Sequence, residues 1–70
     1  MDYFGTSLTL ANKILDLIPN FEQRQKEKFK NLKKVYDIES KRNEDDQDHD
    51  LIDWLKDELR PYLTKAIEYN

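Results

Sequence analysis

From residue 52 onward the apolar side chains step by 3, 4, 3, 4 and 3: Ile52, Leu55, Leu59, Tyr62, Ala66 and Tyr69. That rhythm is the seam of a helix packing on another helix, sustained over more than two heptads. Leu51, Leu63 and Ile67 broaden the seam, and Trp54 lies at its flank. Pro61 falls in the middle, where its ring removes a backbone donor and crowds the preceding turn. The seam stays in phase across the proline. This favours a kink near residues 60–61 over a new short helix that starts at Pro61.

Two further helices follow from the remaining pattern. In LTLANKILDLI, Leu8, Ala11, Leu15 and Ile18 share one face, which Ile14 and Leu10 widen. Thr6 or Ser7 is placed to cap this helix, and Pro19 ends it. The predicted range is about 7–18. Met1 to Gly5, with Tyr3 and Phe4, reads as an apolar arm folded back on the body. Asn20 reads as the next N-cap, with Glu22 at the positive end of the helix dipole. The second helix is predicted over about 21–39, with Phe29, Leu32, Val35, Tyr36 and Ile38 as its apolar residues. Glu22 to Lys28 hold no apolar side chain. No core holds a turn that is polar on every side, so these turns face water or a partner. Residues 40–47 form a connector, Asp46 or Asp48 caps the third helix, and that helix covers about 48–69.

At 70 residues the chain fits one domain, 1–70, with a thin core that buries only about 60% of the unfolded surface. Leu, Ile, Val and Phe make up 18 of the 70 residues, above the level at which disorder is the default. One Gly and two Pro are too few for a loop-rich or all-β fold. The expected class is all-α: a small three-helix bundle or helical hairpin with a short N-terminal helix and a proline-kinked C-terminal one. The absence of cysteine excludes disulfides, thiolate chemistry and cysteine-based zinc sites. Leu8 to Ile18, the most apolar stretch, contains Lys13 and Asp16 and is too short to span a bilayer. No basic run opens the chain, so no signal peptide is expected.

Charge is strongly segregated. Residues 24–34 hold six basic side chains and one acid, a net of +5, and residues 44–58 hold eight acids and one lysine, a net of −7. Three readings compete. Helix electrostatics accounts for acids at the start of the third helix and for Lys33, Lys34, Lys41 and Arg42 near or beyond the end of the second. Antiparallel packing of these two helices would also bring the blocks near each other. A nucleic-acid surface is disfavoured, because the basic residues scatter over several faces and the chain is acidic overall at net −3. The third reading is a protein partner. Arg24 with Lys28, Lys26 with Lys30, and Lys30 with Lys34 are like-charged i,i+4 pairs, each costing a few tenths of a kcal/mol. An acidic counterpart would offset that cost. The candidate partner-binding residues are Arg24, Lys26, Lys28, Lys30 and Lys34, with Trp54 and Tyr62 as possible aromatic anchors. In a small bundle, Trp54 and Tyr62 are more often core.

Catalytic patterns fail on inspection. DQDHDLIDWLKD has alternating Asp46, Asp48 and Asp50, as a calcium loop requires. Leu51 then stands where that loop needs glycine, and Asp57 where it needs glutamate. His49, Asp50 and Asp53 make a poor zinc set. No nucleophile–base pair and no glycine-rich phosphate loop is present. The expectation is a non-enzymatic protein without a cofactor or metal.

KILDLIPNFEQRQKEKFKNLKK runs from an apolar helix through Ile-Pro-Asn to a basic helix led by Gln-Arg. KKVYDIESKRNEDDQDHDLIDWLKDEL continues from basic through tyrosine and an acidic run to an amphipathic end. Over roughly residues 11 to 60 this order resembles small proteins encoded by tailed or related bacteriophages. The resemblance implies a virus-encoded accessory, virion or lysis-cassette protein, in the virion or the host cytoplasm, and transfers no functional residue. The functional expectation is a protein-interaction module, a minor structural or assembly component of a phage particle that binds a protein partner or itself. The alternatives are a peripheral membrane or lysis protein that uses Tyr3, Phe4 and the Leu8–Ile18 face, and a small regulator that binds or mimics nucleic acid.

Overall fold

The three apolar stripes close on one another as helices. The computed structural model describes residues 3–69, in which α1 spans Tyr3–Leu17, α2 Gln23–Ser40 and α3 His49–Tyr69. A single 3-10 turn, Glu44–Asp46, lies in the α2–α3 connector, and no strand occurs among the described residues. Leu8, Ala11 and Leu15 of α1 meet Phe29 and Tyr36 of α2 and Ile52, Leu55, Leu59, Tyr62 and Ala66 of α3 in one core. The seam from Ile52 to Ala66 is therefore buried as expected. Its last member, Tyr69, is half-exposed and donates its hydroxyl to the Leu17 carbonyl at 3.3 Å.

Helix directions follow from two pairs of contacts. The Lys56 ammonium sits 5.9 Å from the Phe4 ring centre, and Tyr69 reaches Leu17, so α1 and α3 run parallel with the same residue offset at both ends. Tyr62 donates to Gln25 Oε1 at 2.9 Å, and the Asp48 backbone N–H to Glu39 Oε1 at 2.9 Å, so α2 runs antiparallel to α3. The molecule measures 41 × 24 × 15 Å, long and flattened.

Several boundaries differ from the sequence expectation. Of the predicted arm, Met1 and Asp2 lie outside the described residues, while Tyr3 to Gly5 belong to α1. Helical geometry sets Phe4 one turn before Leu8, with its ring 5.2 Å from that of Tyr36. Gly5 in a helix costs about 0.5–1 kcal/mol. Partial burial of a phenylalanine, worth about 1.5–3 kcal/mol when complete, offsets it. Thr6 and Ser7 are thus interior helical residues and not caps.

Helix α1 stops at Leu17, ahead of Pro19 as expected. Asn20 does not cap α2. Phe21 sets its ring edge-on against Tyr62 at 6.4 Å, so helical geometry begins only after Glu22, which makes no side-chain cap bond. Asp48 caps α3, its Oδ1 accepting the Leu51 N–H at 3.1 Å. Helix α3 continues through Pro61, and no separate helix starts there.

Some apolar residues face out. Val35 and Ile38 of α2, Leu10 of α1 and Ile67 of α3 are exposed, against the expectation that they widen the core stripes. Each lies well away in angle from the buried line of its own helix. A bundle of three helices buries only one stripe of each.

Candidate interaction surface

The basic stretch of α2 does not act as one patch. Arg24, Lys28, Lys30 and Lys34 are exposed, and Lys26 is half-buried. Lys30 is 3.5 Å from Asp16 of α1, and the neighbouring Lys33 is 2.8 Å from Asp37. Lys28 lines an open groove of about 660 Å³ at the α1–α2 turn, together with Glu22, Glu58 and Lys65, so charges of both signs share that groove. Antiparallel packing sets the inner halves of the basic and acidic blocks side by side, yet no ion pair joins the blocks among the described residues. Glu22 to Lys28 are exposed as expected, with Lys26 alone half-buried. Gln25 is tied to Tyr62, and Phe29 lies beneath with its ring 5.3 Å from that of Tyr62. Of the two aromatic candidates, Tyr62 is only 8% exposed and has little ring left for an outside partner, whereas Trp54 is 52% exposed.

The connector is held by two side chains that the charge pattern concealed. Glu39 is buried on α2, and it accepts the Asp48 N–H just before α3. Gln47 donates its amide to the Ser40 and Arg42 carbonyls at 3.1 and 3.0 Å, satisfying acceptors left over at the end of α2. The signal for Glu39 lay in spacing. Residues 29, 32, 36 and 39 step by 3, 4 and 3, so an acid occupies a core position. The acidic run therefore begins beside a chain reversal that α2 itself fastens.

The least expected surface is apolar. Tyr3, Leu10 and Leu17 repeat at intervals of seven on the side of α1 turned away from the core, 75%, 56% and 69% exposed. Ile67 of α3 is 75% exposed. Leu10 and Ile14 of α1 and Leu63 and Ile67 of α3 line a shallow groove of about 210 Å³ between the two helices. One apolar face is expected of α1 from its sequence; it has two, and the seven-residue spacing of Tyr3, Leu10 and Leu17 is the sign of the second. Among the described residues no group of His, Asp and Glu side chains is placed to hold a metal, and no helix is long and apolar enough to cross a membrane.

No protein-family model, curated protein or solved structure matches the chain.

Proposed function

We propose that this chain is a non-enzymatic interaction module that works by burying the outer α1–α3 face against a protein surface. The observation that carries this reading is the exposure of Tyr3, Leu10, Leu17 and Ile67 in a chain that is 39% charged. Scattered exposed apolar residues need no explanation, but three in line along α1 with Ile67 of α3 beside them make an apolar patch of the kind that contact sites use. The basic residues of α2 are spread over several faces and partly neutralised, so they serve this role less well. The finer reading, a minor structural or assembly component of a phage particle, is part of the proposal; it is supported by the phage-like order of segments. Mass spectrometry of purified particles of the encoding virus tests it.

The same face also suits a helix lying in a membrane surface. The rim charges argue against that placement. Interfacial helices draw on clustered Lys and Arg, whereas this face and its rims hold Lys13 and Arg60 beside Asp57 and Glu68. Flotation with anionic vesicles separates the two: the module reading expects the protein to stay at the bottom of the gradient.

A photoreactive residue placed at position 17 tests the reading directly. Illumination in extracts of the encoding organism is expected to give a discrete adduct, which the same probe at Asp53 does not give. The absence of any adduct at 17 would remove the proposal.

A further inference from the structure

Rims of opposite charge border the apolar face. By helical period, Lys13 lies about 60° beyond Leu10 on the side of α1 away from α3. Glu68 lies about 100° beyond Ile67 on the side of α3 away from α1. Both are exposed, and neither joins an ion pair among the described residues. Arg60, one heptad before Ile67 and so within the face by helical period, is held by Asp57.

The heights of these groups along the bundle are fixed. Lys56 over Phe4 and Tyr69 on Leu17 both give an offset of 52 residues between α3 and α1. Lys13 is therefore level with Lys65, three residues short of Glu68, or about 4.5 Å along the axis at 1.5 Å per residue. A two-fold axis parallel to the helices lays α1 of one copy on α3 of the other. It sets each Lys13 rim against a Glu68 rim at nearly the same height, and it does so twice, as an isologous contact requires. A two-fold axis perpendicular to the helices lays α1 on α1 and sets like rims together. Charge thus selects the first arrangement.

We infer that the α1–α3 face binds a second copy of this chain, with Leu10, Ile14 and Leu17 packed on the Leu63–Ile67 stripe and Lys13 paired to Glu68 of the partner subunit. This rests on the reading that the face works by contact, and it names the occupant. Size sets the strength. Fifteen residues of helix are about 22 Å long, and two helices are about 20 Å wide. The face therefore covers about 450 Å² per copy, short of the roughly 800 Å² of a stable complex. An interface this small belongs to the weak, transient class.

Sedimentation equilibrium from 5 µM to 1 mM, with helicity checked by circular dichroism, tests the inference. The wild-type chain is expected to pass from monomer to dimer across that range. Lys13→Glu and Glu68→Lys each set like charges together at both rims and weaken dimerisation about tenfold. An equimolar mixture of the two variants pairs opposite charges at both rims and restores the dimer, as does the double variant alone. A wild-type chain that stays monomeric at 1 mM overturns the inference; a position-17 adduct with a different protein would then leave the module reading standing. A dimer indifferent to both reversals overturns the assigned geometry.

Discussion

Glu39 shows how one side chain organises a chain reversal. Its carboxylate accepts the Asp48 N–H, and Asp48 in turn caps α3 through the Leu51 N–H. The nearby Arg42 guanidinium, 3.5 Å away and more than half exposed, adds little in water. A hydrogen bond to a charged group is worth about 1.5–3 kcal/mol. Glu39→Ala is therefore expected to lower the melting temperature by about 6–24 °C, at about 4–8 °C per kcal/mol for a domain of this size. Glu39→Gln retains an acceptor oxygen and should lose less than half as much. Equal losses from both variants in thermal melts would show that the carboxylate acts by something other than this bond. The sequence made Glu39 look like one acid among fifteen. Its 3-4-3 spacing with Phe29, Leu32 and Tyr36 marks a core position, but the Asp48 N–H that it accepts arrives only after eight intervening residues, which no local pattern encodes.

At the scale of the helices, α3 was the most legible element because its seam is long and in phase. The same seam carries the helix through Pro61, even though an interior proline costs about 3 kcal/mol. Burial of Leu55, Leu59, Tyr62 and Ala66 on both sides of it supplies more than that. Pro61 is itself exposed, so Pro61→Ala is expected to stabilise the fold by at least about 1 kcal/mol and raise the melting temperature by roughly 4–8 °C. A lower melting temperature would mean that the ring's place beside Tyr62 in the larger groove outweighs the helical cost. The start of α2 was misread because capping residues report local preference, while the packing of Phe21 on Tyr62 is a contact over 41 positions of chain. The start of α1 was misread for a related reason. Gly5 looks like a break until Phe4 finds Tyr36.

The whole molecule is a parallel α1–α3 pair with α2 laid antiparallel against both. Its core is one stripe deep, which is why apolar residues outnumber the places to bury them. The three-helix fold was readable from period and composition. The candidate surface was readable only in part: Tyr3, Leu10 and Leu17 repeat every seven residues, but a second apolar stripe on α1 reads in sequence as a wider first one. Only the positions of α2 and α3 decide which stripe goes inward. Segregated charge drew attention to residues 24–34. There the structure shows cations distributed around α2 and two of the lysines, Lys30 and Lys33, already paired. Outward-facing leucines are the less conspicuous feature and the one with a physical reason to be covered.

Leu17→Glu places a charge at one end of that face without touching the core, since Leu17 is 69% exposed. It is expected to leave the stability of the dilute monomer within about 0.5 kcal/mol of wild type and to abolish association. The most direct test of the account is a map of backbone amide shifts by NMR as the wild-type protein is concentrated from 20 µM to 1 mM. The account predicts that shifts move at residues 10–17 of α1 and 63–68 of α3 and hold still along residues 24–34. Shifts unchanged over that range, or changes centred on the basic turns of α2, would contradict it.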